Sequence, residues 1–141
     1  MRLSTKGQYG VLAMYELAKR YGEGPVSIKE IAESQTFSDA YLEQLFASLK
    51  KAGLIRSLRG AHGGYQLSRE PSQISIRQII DALEGPIEFS ACVGGPEGYI
   101  CKKSDACVTR ELWKEIQESI NAIIDNRSLA DLVEQGRRKQ Q

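Results

Sequence analysis

The 141-residue sequence predicts a mainly α-helical fold with one small β wing. Three observations carry this. Two helical patterns near residues 27–52 are joined by about three residues. Two short alternating runs then flank the glycine-rich stretch 59–64. A long run at helical spacing, from about Thr109 to Asn126, has apolar residues along one side. A helix-turn-helix followed by a hairpin is a winged helix.

Each element has a local reason. Met14, Leu17, Ala18 and Tyr21 follow the i, i+3, i+4, i+7 rule of a one-sided helix from about Ser4/Thr5 to Tyr21. Gly22-Glu23-Gly24-Pro25 ends it. Ser27-Ile28-Lys29-Glu30 reads as a capping box opening a short second helix that ends near Gln35. Ser38 caps the third, from about Asp39 to Ala52, whose inward stripe is Leu42, Leu45, Phe46 and Leu49. Gly53 is its stop. Leu54–Leu58 and Tyr65–Leu67 are the strands, with the turn Arg59-Gly60-Ala61-His62-Gly63-Gly64 between them. Ser75-Ile76-Arg77-Gln78 is a second capping box, opening a helix that stops at Gly85-Pro86. Residues 86–108 lack any period and hold all three cysteines. The long helix carries Leu112, Trp113, Ile116, Ile120, Ile123 and Ile124 on one side. A short helix begins after Ser128, and residues 136–141 read as a flexible tail. The expected organisation is a DNA-binding unit over 1–85, a cysteine loop over 86–108, and a dimerisation helix with a short terminal helix over 109–135.

Composition excludes several classes. Hydrophobic residues are 41% and charged residues 26%, a globular balance. No apolar run is long enough to span a membrane, and no signal-peptide apolar region opens the chain, so a cytoplasmic protein is expected. His62 is the single histidine and lies in the glycine-rich turn, so no catalytic pair is expected and the chain does not read as an enzyme. Three cysteines in one short window do not make a disulfide scaffold.

Charge divides unevenly. Residues 1–69 hold ten Lys/Arg against six Asp/Glu, whereas residues 70–141 hold nine against twelve. Residues 44–69 contain Lys50, Lys51, Arg56, Arg59 and Arg69 and no acid. One basic face in a nearly neutral chain suits double-stranded DNA. With the third helix in the major groove, Ser38, Asp39, Tyr41, Glu43, Gln44 and Ser48 are outward or flanking. Gln44 can bond adenine with both amide groups, and Glu43 can accept from a cytosine amino group. Lys50 and Lys51 suit phosphates. Arg59, with His62 on the same loop, suits the minor groove.

Arg2-Leu3-Ser4-Thr5-Lys6-Gly7-Gln8-Tyr9, Tyr41-Leu42-Glu43-Gln44-Leu45, Arg59-Gly60-Ala61-His62-Gly63-Gly64-Tyr65 and the Leu112-Trp113 helix resemble the bacterial Rrf-two family. The resemblance covers about residues 1–135 and implies a homodimeric winged-helix transcription regulator paired through the long helix. It also implies that Ser4, Thr5 and Lys6 contact phosphate, as a helix N-terminus with a basic neighbour can.

Cys92-x8-Cys101-x5-Cys107 is neither a zinc-ribbon pair nor a ferredoxin run. By spacing alone, three ordinary thiols remain open beside a metal centre. The family's cluster-binding members, IscR among them, carry three cysteines here. Members that sense through a protein partner, such as CymR, lack the triplet. The resemblance therefore implies an iron–sulfur cluster on Cys92, Cys101 and Cys107. Two departures stand out. The first gap is longer than in IscR, and Arg110 occupies the position of that family's histidine ligand. Asp105, Glu97, Glu111 or a residue of the second copy, such as Gln8, are open as the fourth ligand. A [2Fe–2S] cluster is expected, with a labile [4Fe–4S] form of the nitric-oxide-sensing type as its rival. Two cluster-free readings are a regulator of cysteine metabolism controlled by a protein partner and a thiol-based redox sensor or oxidoreductase.

Overall fold

A computed structural model describes residues 4–35, 37–89 and 107–140. Helix α1 spans Thr5–Lys19, and Ser4 caps it by accepting from the Gly7 amide. Its inner face buries Ala13, Met14, Leu17 and Ala18. Tyr21, expected on that face, lies beyond the helix end and is 46% exposed. Gly22 and Gly24, both at positive φ, turn the chain after α1.

Helix α2 spans Ile28–Ser34 and α3 spans Asp39–Lys51. The expected capping box at α2 is only half built. Ser27 Oγ accepts from the Glu30 amide, but the Glu30 carboxylate reaches Arg20 at 3.3 Å instead. The Glu16 carboxylate is buried at 3% exposure, where it accepts from Gln35 Nε2 at 2.8 Å and pairs with Lys19 at 3.0 Å. Burying a carboxylate costs free energy unless it is partnered. Here the partners tie α1 to the end of α2.

Strands β1 (Ile55–Leu58) and β2 (Gly64–Leu67) pair antiparallel, with Ile55 opposite Leu67 and Leu58 opposite Gly64. Val26 adds an isolated antiparallel bridge to β2 by exchanging two 2.8 Å hydrogen bonds with Tyr65. The wing is thereby sewn to the turn before α2. At Gly64 a Cβ would fall onto the Val26 carbonyl oxygen, so this close approach requires glycine.

Helix α4 spans Ile76–Glu84 and begins with the complete Ser75/Gln78 capping box. Helix α5 spans Val108–Asn126, and α6 spans Leu129–Lys139 behind a second box formed by Ser128 and Asp131. The last helix therefore passes Gly136, where the sequence suggested a flexible tail. Gly136 lies beneath the Tyr15 hydroxyl of α1, so a small residue there lets α6 lie against α1.

Among the described residues a hydrophobic core joins α1, α2, α3, α4 and β2 through Met14, Ile31, Leu42, Phe46, Leu67 and Ile79, all at most 2% exposed. Leu129 at the start of α6 is fully buried in the same core. The link is explicit. Ile76 donates to the Arg127 carbonyl at 2.9 Å, and Leu129 donates to the Ile74 carbonyl at 3.0 Å. Arg77 Nη1 forks onto both Asp125 oxygens at 2.7 and 2.8 Å, and these hydrogen bonds raise its already high pKa. The far end of α5 is thus docked on the winged half.

Near its middle, α5 holds a second link. Gln117, 5% exposed, accepts from the Phe89 amide at 2.6 Å and donates to the Ile87 carbonyl at 2.8 Å. Its amide imitates a strand edge for residues 87–89. The Phe89 ring packs on Trp113 at 5.4 Å between centroids.

Candidate nucleic-acid interface

Helix α3 faces the core with Leu42, Leu45, Phe46 and Leu49, all fully buried. The opposite face is Ala40, Glu43, Gln44 and Ala47, all exposed and spaced i, i+3, i+4, i+7. Glu43 and Gln44 stand where the sequence placed them. Ser38 is exposed, but its Oγ is engaged as the α3 N-cap, accepting from the Tyr41 amide at 3.1 Å. Tyr41 is half-buried in a three-ring cluster, 5.9 Å from Tyr9 and 6.5 Å from Phe37, rather than standing on the open face. Ser48 is half-buried and Asp39 is exposed. Ala40 and Ala47 were missed by sequence reasoning, which weighed hydrogen-bonding side chains only. The periodicity complementary to the leucine stripe would have found them.

The ring cluster also has a positional effect. Tyr9 belongs to the early turns of α1, and its ring lies 4.6 Å from Phe37, just before α3. It sets the N-terminal turns of α1 and α3 side by side. Exposed Ser4, Thr5 and Lys6 therefore stand beside the start of α3. Helix N-termini offer unpaired backbone amides to phosphate.

On the other side lies the wing. Lys50 donates to Ser57 Oγ at 2.8 Å, linking the end of α3 to β1. Arg56 faces Gln66 across the hairpin, and with the Gln66 amide oxygen turned inward both guanidinium contacts are 2.8 Å. Arg59 and His62 are exposed on the turn. A Cβ on Gly63 would strike the Leu58 carbonyl oxygen, so the tight turn needs glycine there. Lys50, Lys51, Arg56, Arg59 and Arg69 are all exposed. The structure thus puts two uncharged methyls and one acid–amide pair between a helix N-terminus and a cationic wing.

Cys107 is the N-cap residue of α5, half-buried, with Sγ 3.2 Å from Thr109 Oγ1. Cys92 and Cys101 lie outside the described residues, as do Glu97 and Asp105. Among the described residues no group of three potential metal ligands gathers. Arg110 is half-buried, and its buried Nε has no hydrogen-bond partner among the described residues. Glu111 is exposed beside it, and Gln8 is exposed on α1. No described helix is long and apolar enough to cross a membrane.

Residues 3–135 match the Rrf2 family model, described as an iron-dependent transcriptional regulator. The chain is 45% identical over 132 residues to the transcriptional regulator CymR of Bacillus subtilis, covering 94% of this chain and 89% of that protein. It is 42% identical over 133 residues to IscR of Serratia proteamaculans, covering 94% and 79%. The solved structure of T. potens IscR superposes with a TM-score of 0.81 at 44% identity, covering 100% of this chain and 92% of that one. These relatives are transcriptional regulators rather than enzymes, and the winged helix they share is the arrangement of α3 and the cationic wing found here. The chain belongs to the Rrf2 family of DNA-binding winged-helix transcriptional regulators.

Proposed function

We propose that this regulator binds its operator as a homodimer and senses iron–sulfur status through Cys92, Cys101 and Cys107. The observation that carries the DNA half is the α3 face just described. Glu43 and Gln44 read base edges there. Lys50, Ser4, Thr5 and Lys6 hold phosphates, Arg56 and Arg59 approach from the wing, and His62 flanks them. Ser38 and Tyr41 act by positioning, through the helix cap and the ring cluster.

The uncovered side of α5 supports pairing of two copies. Val108 is 91% exposed, Leu112 48% and Ile123 58%, which is unusual for one apolar stripe. A second α5 laid against it would bury these side chains and place two reading helices on one duplex, about one turn apart.

The chemistry of residues 107–110 supports a cluster. Cys107 offers its sulfur at a helix N-terminus, where negative charge is favoured. The orphaned Arg110 Nε is a buried donor that an anionic sulfur centre would satisfy. Arg110 cannot itself ligate iron. Cys92, Cys101 and Cys107 would hold a [2Fe–2S] cluster, with [4Fe–4S] as its rival and the fourth ligand from a carboxylate or the second copy. When bound, the cluster would supply sensitivity to iron supply and oxidants. Gln117 and the Arg77–Asp125 pair supply the mechanical connection from residues 87–89 through α5 to the winged half.

The 45% identity to CymR favours a second reading: a colourless regulator of cysteine metabolism controlled by a protein partner. Anaerobic purification separates the two. Visible absorbance with stoichiometric iron and sulfide supports the cluster, and its absence supports the partner. Cys107→Ser should then abolish iron retention while leaving the thermal midpoint of the winged half unchanged. Comparing operator affinity of holo and apo protein at fixed salt tests switching, and equal affinities would remove it.

The DNA assignments have their own signatures. Gln44→Ala should relax preference at one base pair, whereas Lys50→Ala should weaken all sequences alike and flatten the salt slope by about one. Arg59→Ala should weaken binding by roughly 1–3 kcal/mol. Full base preference in the Gln44 variant would contradict the docking.

A further inference from the structure

We infer that the methyl group of Ala40 reads a thymine 5-methyl in the operator, making Ala40 a specificity residue beside Glu43 and Gln44. The inference rests on the docking of α3 proposed above. The structure narrows the reading set by removing candidates. Ser38 Oγ accepts the helix-cap bond from the Tyr41 amide, and Tyr41 turns into the Tyr9–Phe37 cluster. Directly opposite the buried side of α3 stands the stripe Ala40, Glu43, Gln44 and Ala47, with exposed Asp39 at the helix start and exposed Lys50 and Lys51 at its end.

Within that stripe Ala40 stands nearest the helix N-terminus, as the second residue of α3. A helix that enters the groove by its N-terminal half brings this turn deepest. The Cα–Cβ bonds of a helix tilt toward its N-terminus, so the Ala40 methyl leads Glu43 and Gln44 into the groove. Ala40 has no hydrogen-bonding group, and its Cβ is exposed to solvent in the free protein. In the major groove only thymine presents a methyl group, and alanine is a fitting contact for it. One helical turn separates Ala40 from Glu43 and Gln44, so its base pair neighbours the pair they read.

The test uses the full chain and a duplex it selects from a randomised pool. Each thymine of the selected duplex is replaced in turn by deoxyuridine, which lacks only the 5-methyl group. One thymine per recognised half, next to the pair sensitive to Gln44→Ala, should show a three- to fivefold loss of affinity, the scale of one buried methyl. In Ala40→Gly that position should bind thymine and uracil equally, with the response to other positions unchanged. Tolerance of uracil throughout overturns the inference, and so does an undiminished uracil penalty in the glycine variant. Both results leave the docking of α3 intact. Selection of no sequence at all overturns the docking and the inference together.

Discussion

Phe46→Ala should destabilise the winged half by about 3–5 kcal/mol, the usual cost of emptying an aromatic site in a core. Phe46 is fully buried, and its ring lies 4.8 Å from that of Tyr65. It therefore carries α3 on one side and the wing on the other. Tyr65 in turn holds Val26 through two backbone bonds, so the cavity would open where helix-turn-helix and wing meet. Domain stabilities are commonly 5–15 kcal/mol, so a large part of the total would be lost. Urea unfolding of wild type and variant measures the change. Glu43→Ala on the exposed face of the same helix is the control, and it should move stability by no more than about 0.5 kcal/mol. A loss below 1 kcal/mol at Phe46 would mean that the wing and α3 are not held by this ring pair.

Gln117→Leu should cost about 2–4 kcal/mol and expose the Phe89 amide to hydrogen exchange. Leucine is close in volume, so the space Gln117 fills stays largely filled. The loss lies in the polar groups. The Phe89 amide and the Ile87 carbonyl would each lose a partner in a part-buried place, as would Asn121 Oδ1, and each unsatisfied group costs roughly 1–3 kcal/mol. Gln117→Glu separates the accepted bond from the donated ones. A carboxylate still accepts from the Phe89 amide but cannot donate to the Ile87 carbonyl, so protection at Phe89 should persist while stability falls. Unchanged exchange at Phe89 in the leucine variant would show that residues 87–89 are held to α5 by something other than this amide. Cys92 follows Phe89 by three positions in the sequence.

Much of the fold was legible because it is written in local rules. The Leu42, Leu45, Phe46, Leu49 stripe identified α3 and its buried side, and all four are buried. Ser38 and Ser75 were readable as caps because an N-cap depends on the next three residues alone. Glu30 was misread for a complementary reason. Its carboxylate had a choice between the Ser27 amide and Arg20, and Arg20 comes near only when α1 and α2 pack. Gly136 was misread likewise, because glycine favours a helix end unless a neighbour such as Tyr15 needs the space. The candidate site was half legible. Glu43, Gln44, Arg59 and the basic run could be named from side-chain chemistry, whereas the withdrawal of Tyr41 into a ring cluster depends on Tyr9, 32 positions earlier.

By itself the amino-acid order determined the helices, the hairpin, the basic face and the family, because periodicity, caps and charge act over a few residues. Only the tertiary structure decided which outward groups of α3 stay available, that α6 belongs to the winged core, and that Gln117 and Arg77 tie α5 at two points. Those outcomes are contacts between residues distant in the chain. Burial selects among chemically equivalent partners, and no short-range pattern encodes which one will be near.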